Sequence, residues 1–236
     1  MEKLLLDINQ KERIAVCLEF PITGKFPCVI LSHGLYSSKD SDKYRMISDT
    51  LIKKGIGSVR FDFRGCGESD GKIENTTVTH RVNDLNAVCD YLLKNYSTRL
   101  QSIGLMGSSM GGYTSLIVAA TRNGLVEATV AWATPISLSG LRNERLMSEE
   151  PRLNKQFFDD LVNYNLSDII KGLKNCLIIH GKADEVVPVN MAYKIHENLS
   201  SPKELKIFRD ADHRFSNEKE RKEAISLTLQ WFTRYL

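Results

Sequence analysis

Rhythm constrains this chain most: from residue 26 onward, short apolar runs alternate with longer runs of helical period. FPCVILSH (26–33), GIGSVRFDF (55–63), SIGLMG (102–107), EATVAWAT (127–134), NCLIIHG (175–181) and ELKIFRD (204–210) read as strands. Between them, residues 42–54, 78–95, 109–123, 190–199 and 218–235 read as helices. In the second of these, Val82, Leu85, Cys89, Leu92 and Leu93 recur at helical spacing. RIAVCLEF (13–20) reads as an early antiparallel edge strand. The alternation predicts an α/β fold with a mostly parallel central sheet covered by helices on both faces. No repeat or low-complexity linker divides the chain, so residues 1–236 are expected to form one domain.

One stretch breaks the rhythm. Residues 136–172 are rich in charge and contain short helical patterns but no strand. Phe157, Phe158, Leu161 and Tyr164 give the stretch enough apolar surface to pack, which predicts a small inserted helical cap rather than a bare surface excursion.

Composition excludes several classes. The net charge of +3 is spread along the chain, so neither a nucleic-acid nor a membrane-surface partner is implied. Five cysteines (Cys17, Cys28, Cys66, Cys89 and Cys176) are widely spaced with no CxxC pair, which predicts reduced thiols rather than a disulfide framework or a zinc site. No apolar run is long enough to span a bilayer, and the apolar run in MEKLLLDINQ is too short for a signal peptide. A cytoplasmic location is the resulting expectation.

The chemistry centres on LMGSSMGGY (105–113), which contains G-x-S-x-G as Gly107-Ser108-Ser109-Met110-Gly111. A strand turning abruptly into a helix strains the residue at its tip and needs small neighbours. The same turn exposes the tip side chain at the sheet edge, beside a helix N-terminus. Ser109 stands at that tip. Gly111 and Gly112 would let the first helical turn sit close to the sheet. The alternative is a small-residue crossing in the core, with no chemistry.

A serine hydroxyl needs a base, and the base needs an orienting carboxylate. In doubly wound hydrolases with the serine on such a turn, both lie downstream, acid before histidine. Of the downstream histidines, His196 is mid-helix and His180 ends a strand, where it would support the next loop. His213 lies in the loop after the last strand, at the same sheet edge as Ser109, and is the base candidate. Asp184, in the loop HGKADEVVP (180–188), is the acid candidate, with Glu185 expected to face away and Asp210 and Asp212 as weaker competitors. Two N–H donors are needed for a tetrahedral oxyanion. Met110, directly after Ser109, and Leu35, after His33-Gly34, are placed to supply them, and His33 is read as bracing its loop.

With these residues in place the chain resembles the α/β-hydrolase superfamily. His33-Gly34, FDFRGCGESDG (61–71), GSSMGG (107–112), HGKADEVVP and DHRF (212–215) match its landmarks in order. The resemblance is to small capped serine esterases, of the cinnamoyl/feruloyl-esterase and monoglyceride-lipase kinds. It implies an architectural role for Asp62, Arg64, Gly65 and Gly67, and Ser108 stands where many relatives carry His. Together these predict a serine esterase with catalytic Ser109, Asp184 and His213, an oxyanion hole of Leu35 and Met110, and no metal or organic cofactor. The expected partner is a small-molecule ester, with the oligomeric state left open. Two alternatives remain: amide hydrolysis of the aminopeptidase kind on the same residues, with Glu149, Glu150, Asp159 and Asp160 able to meet an amino terminus, or a hydrolase-fold binding protein without turnover.

Overall fold

Strands that are apolar on both faces must be covered on both faces, and the two halves of the core follow from that requirement. The computed structural model describes residues 1–122, 124–138 and 152–236. The strands are β1 (Glu2–Asp7), β2 (Arg13–Glu19), β3 (Phe26–Ser32), β4 (Gly57–Phe61), β5 (Leu100–Ser108), β6 (Val126–Trp132), β7 (Cys176–Gly181) and β8 (Lys203–Phe208). The long helices are α1 (Asp42–Ile52), α2 (Val78–Tyr96), α3 (Met110–Thr121), α6 (Asn190–Asn198) and α7 (Glu218–Tyr235). Two short ones, α4 (Lys155–Asp160) and α5 (Leu166–Ile169), lie in the stretch expected to form the cap. The rest of that stretch, residues 139–151, lies outside the described residues. Among the described residues no helix is long and apolar enough to cross a membrane.

The strands form one sheet in the order β1-β2-β4-β3-β5-β6-β7-β8. β1 and β2 run antiparallel to their neighbours and all other pairings are parallel. β2 is antiparallel as predicted, but it is not the edge strand. β1 pairs outside it, with Leu4 opposite Val16 and Leu6 opposite Ile14. The sequence hides this strand because Leu5 sits between the two inward leucines and is 48% exposed, so a true period of two reads as a featureless leucine run.

Alternate residues of the sheet feed two cores. Cys28, Ile30, Ile103 and Leu105 join Val82, Leu85 and Val88 of α2 and Leu116 and Ile117 of α3 on one face. Val29, Leu31, Met106 and Val130 join Tyr44, Ile47 and Leu51 of α1 and Ile225, Trp231 and Phe232 of α7 on the other. Trp132 anchors the second core, its Nε1–H donating to Thr228 Oγ1 at 3.0 Å. The chain therefore leaves β3 by a helix on one face and reaches β5 by a helix on the other. Strand order reverses between β3 and β5, and the two following loops diverge there, opening a crevice at the C-terminal ends of the strands.

The loop after β3 is held by a buried charge cluster. Asp62, fully buried after β4, accepts from Lys39 N (2.7 Å), Lys39 Nζ (2.9 Å) and Glu68 N (3.0 Å). Lys39 Nζ also bonds Asp40 and Glu68. Gly67 has φ +51°, and a Cβ there would stand 2.2 Å from the Asp62 carboxylate, so only glycine fits. Arg64 clamps Asp84 of α2 through its Nε (2.8 Å), Nη2 (2.6 Å) and backbone N–H (2.9 Å). Lys39→Met leaves Asp62 without its cation and is expected to cost about 3–5 kcal/mol, read as a lowered urea midpoint at constant slope. A loss below ~1 kcal/mol would show that the backbone donors alone satisfy Asp62.

Candidate active site

The glycines of GSSMGG are explained by contact rather than flexibility. A Cβ at Gly111 would lie 2.0 Å from Ser32 O, and one at Gly107 would lie 2.2 Å from Gly111 O. α3 therefore enters the sheet at backbone contact distance, and the turn into it must be abrupt. Ser109 takes up the turn at φ +56°, ψ −124°, a conformation costly for any side chain with a Cβ. Its N–H donates to Trp132 O at 2.8 Å, which ties the tip to β6. Strain is concentrated here: of the five non-glycine residues with positive φ among those described, Tyr36, Ser109, Ala133 and Phe215 all lie at the C-terminal edge of the sheet.

Asp184 and His213 meet across the loops after β7 and β8. His213 Nδ1–H donates to Asp184 Oδ2 at 2.9 Å, with Oδ1 at 3.1 Å. Asp184 Oδ1 also accepts from the N–H groups of Val186 (2.8 Å) and Val187 (2.7 Å). Burial works to raise the Asp184 pKa, but hydrogen bonds from His180, His213 and Val187 outweigh it and hold the carboxyl well below the usual carboxylate range. A folded pKa below the unfolded one means that this stabilisation is complete above the ordinary carboxylate pKa and is lost only as pH falls through the depressed folded value. His180 is fully buried and supports the loop, its Nε2–H donating to Val187 O at 2.8 Å.

Leu35 follows Gly34, and a Cβ on Gly34 would be 3.5 Å from Ser109 Cβ, so the loop after β3 runs beside the tip. Met110 opens α3, where the first N–H groups have no intrahelical acceptor. His33 Nδ1–H donates to Gly34 O (2.7 Å) while Nε2 accepts from Phe63 N (3.1 Å). Burial, helped by nearby Arg81, lowers its pKa to about 3, so the ring is a neutral brace.

Ser109, Met110, Leu35 and His213 all line one cavity of about 710 Å³. Asp184 sits behind His213 with its side chain fully buried. The competing carboxylates serve other ends: Asp212 Oδ1 accepts from Ser216 N at 2.8 Å, and Asp160 holds Thr79 at the start of α2 through the Thr79 N–H (2.8 Å) and Oγ1 (2.6 Å). Asp159 pairs with Lys155, and Glu149 and Glu150 lie outside the described residues. Cys66 is buried, and desolvation pushes its thiol up, away from a reactive thiolate.

Three cavity residues have placements that the sequence reading did not foresee. Glu185 does not face away: its Oε2 lies 3.3 Å from His213 N and accepts from it. Phe157 of α4 reaches the cavity, a placement that depends on how its stretch docks on α2. Lys43 of α1 reaches Ser108, its Nζ donating to Ser108 Oγ at 2.8 Å, although α1 gives no signal beyond an ordinary helical lysine. Ser109→Gly should relieve the positive φ and raise stability by about 1 kcal/mol, the strain relieved exceeding the entropy that glycine adds to the unfolded chain. Ser109→Ala, which keeps the Cβ, should not, and paired urea melts of the two variants check the difference.

The sequence pattern of the prolyl oligopeptidase family matches residues 43–236. The palmitoyl-protein thioesterase ABHD10, mitochondrial, of Bos taurus is 24% identical over 220 residues, covering 84% of this chain and 70% of that protein. The uncharacterized protein YfhR of Salmonella typhi is 25% identical over 173 residues, covering 69% of this chain and 56% of that protein. Among solved structures, Est1E from Butyrivibrio proteoclasticus with bound ferulic acid superposes with a TM-score of 0.83 at 20% identity, covering 98% of this chain and 99% of that one. Mouse α/β hydrolase domain-containing protein 10 gives 0.83 at 20% identity, covering 99% of each chain. At those identities the likeness is one of fold. The match from α1 to the last residue goes further, and the chain belongs to the prolyl oligopeptidase family, as an α/β hydrolase.

Proposed function

We propose that the protein hydrolyses carboxylic esters through an acyl-enzyme on Ser109, with His213 as general base and acid and Asp184 as its orienting carboxylate. The observation that carries this reading is the 2.9 Å His213–Asp184 hydrogen bond at the wall of the cavity into which strained Ser109 opens. Asp184 accepts from Nδ1–H, which leaves Nε2 with a lone pair for the Ser109 proton. Ser109 Oγ adds to the carbonyl carbon as that proton moves to Nε2. The resulting oxyanion is held by the N–H groups of Leu35 and Met110. Collapse breaks the acyl–oxygen bond, and the imidazolium returns its proton to the departing alcohol. Water, deprotonated by His213, then releases the acid by the same route in reverse. This chemistry needs no metal or organic cofactor.

Residues 136–138 and 152–172 act in this reading as part of a cap over the acyl side of the cavity. Leu138 and Phe157 supply apolar wall there, and the Asp160–Thr79 contacts moor the stretch to α2. Thioesters fall within the same mechanism, and the name of the Bos taurus relative, a palmitoyl-protein thioesterase, supports their inclusion. The family name favours a second reading, amide hydrolysis on the same residues. An amine leaves only after protonation, and the subsite once open to an amino terminus is weakened because Asp160 and Asp159 are already engaged.

Ser109→Ala should lower turnover of 4-nitrophenyl butanoate at least ~1000-fold with an unchanged circular dichroism spectrum. Asp184→Asn should lower kcat by about 10⁴, because the amide favours the tautomer with a proton on Nε2. Aminoacyl 4-nitroanilides should turn over far more slowly than the ester. Faster anilide cleavage, equally abolished by Ser109→Ala, would transfer the assignment to amides.

A further inference from the structure

The cavity is asymmetric about Ser109. Leu138 and Phe157 belong to the core on the α2 and α3 face and make one wall apolar. The other side is built from α1, α7 and the loop that carries His213, and it bears Lys43, Arg214 and Arg221. Elsewhere the fold matches its buried cations with carboxylates: Lys39 with Asp62, Arg60 with Glu19 and Asp40, Arg64 with Asp84. Among the described residues, no carboxylate lies within ion-pair distance of Lys43, Arg214 or Arg221.

Lys43 Nζ instead contacts the Ser108 hydroxyl and lies 5.5 and 5.6 Å from the ring centres of Tyr44 and Trp132. Burial, reinforced by Arg221 and Arg214 and opposed by Asp212, lowers its pKa to about 8. Arg221 spends Nη1 on two backbone carbonyls, Phe215 O (3.2 Å) and Ser216 O (3.3 Å), which orient it without neutralising it, and its Nε is buried without a partner. Ser41 lines the same cavity at the N-cap of α1, yet its Oγ makes no capping bond and is buried without a partner. Carboxylates stand near without making an ion pair to these cations. Glu185 and Asp42 line the same cavity, Glu185 accepting from His213 N, while Asp212 accepts from Ser216 N and acts on Lys43 at longer range. Glu218, three residues before Arg221, pairs with Lys222. Partly desolvated cations that lack an ion-pair partner, as Lys43 and Arg221 do, are costly in a free protein and become favourable when an anion enters among them; Arg214 beside them is exposed.

We propose that Lys43, Arg221, Arg214 and Ser41 form a subsite for an anionic group, carboxylate or phosphate, on the leaving alcohol or thiol of the substrate. The leaving side is assigned because these cations flank the loop of His213, which hands its proton to the departing group. The acyl chain then lies toward Leu138 and Phe157. The inference rests on the ester-hydrolase reading above and adds to it the substrate class: acyl esters or thioesters of anionic alcohols or thiols.

Two butanoate esters test it, 5-butanoyloxy-2-nitrobenzoate with an anionic leaving group and 4-nitrophenyl butanoate with a neutral one, each normalised to its hydroxide-catalysed rate. The wild type should prefer the anionic ester in kcat/KM by about tenfold or more, mainly through KM, and the preference should shrink as salt rises. Lys43→Gln and Arg221→Gln should each remove most of that preference, and Lys43→Arg should restore part of it. A wild-type ratio near one, or a ratio unmoved by both Gln variants, overturns the subsite while leaving esterase activity standing. Calorimetry on Ser109→Ala separates the two readings. Tighter binding of 5-hydroxy-2-nitrobenzoate than of 4-nitrophenol, lost in the Ser109→Ala/Lys43→Gln double variant, supports the subsite even if neither ester turns over. Inorganic phosphate and malonate as competitors distinguish a phosphate-accepting from a carboxylate-accepting subsite, and inhibition by neither overturns it.

Discussion

The close approach of α3 to the sheet is the constraint from which the site follows. At Gly111 the helix backbone passes so near β3 that a single Cβ would stand 2.0 Å from Ser32 O. A strand cannot turn into a helix at that separation without one residue leaving the allowed regions, and that residue is Ser109. Its strain is maintained by packing on every side: Met110 to Ala119 of α3 are buried, between the sheet and the helices of one face. The same approach lifts the Ser109 side chain into the crevice where strand order reverses. The strained turn and the exposure of its tip are here one feature of the fold.

Charge organises the loops around that tip in two contrasting ways. Asp62, Lys39, Arg64 and Asp84 form closed sets in which each buried charge meets its opposite, and these fix the loops after β3 and β4. Asp184 is also closed, served by His180, His213 and two backbone N–H groups. Lys43 and Arg221 are open, held by a hydroxyl and by carbonyls that direct their charge without cancelling it. Closed clusters stabilise a single loop conformation; open ones raise the positive potential of the cavity wall. Electrostatics thus separates what holds the site together from what would recognise a ligand.

Family and fold do not fix which substrate enters; on the proposed function that choice falls to the cavity walls. One wall comes from the stretch after β6, moored to α2 by Asp160 and contributing Phe157. The other comes from the first turns of α1 and α7. Acyl transfer as proposed needs neither wall to be of any particular composition. On that proposal an apolar wall facing a cationic one bears on substrate rather than on mechanism.

The sequence by itself determined the strand–helix order, the doubly wound sheet, the serine at the tip of its turn and the loops that carry Asp184 and His213. These features are local: period two or 3.6 marks the elements, glycines mark the abrupt turn, and strand ends mark the loops that share one edge. The placement of Ser109, Asp184 and His213 at one edge of the sheet was legible for that reason. β1 was not, because Leu5 masks the inward alternation of Leu4 and Leu6 and only pairing with β2 reveals it. Glu185 could not be oriented from sequence, since its partner is a backbone N–H in a loop after a different strand. Lys43 is the clearest case. Its neighbours Tyr44 and Ile47 mark the buried face of α1, but whether the lysine beside them reaches solvent or the cavity depends on where α1 ends over the sheet. Local periodicity sets which face of a helix is buried, while the direction of a long side chain at a helix end is set by the elements packed around it, and only the tertiary structure decides that.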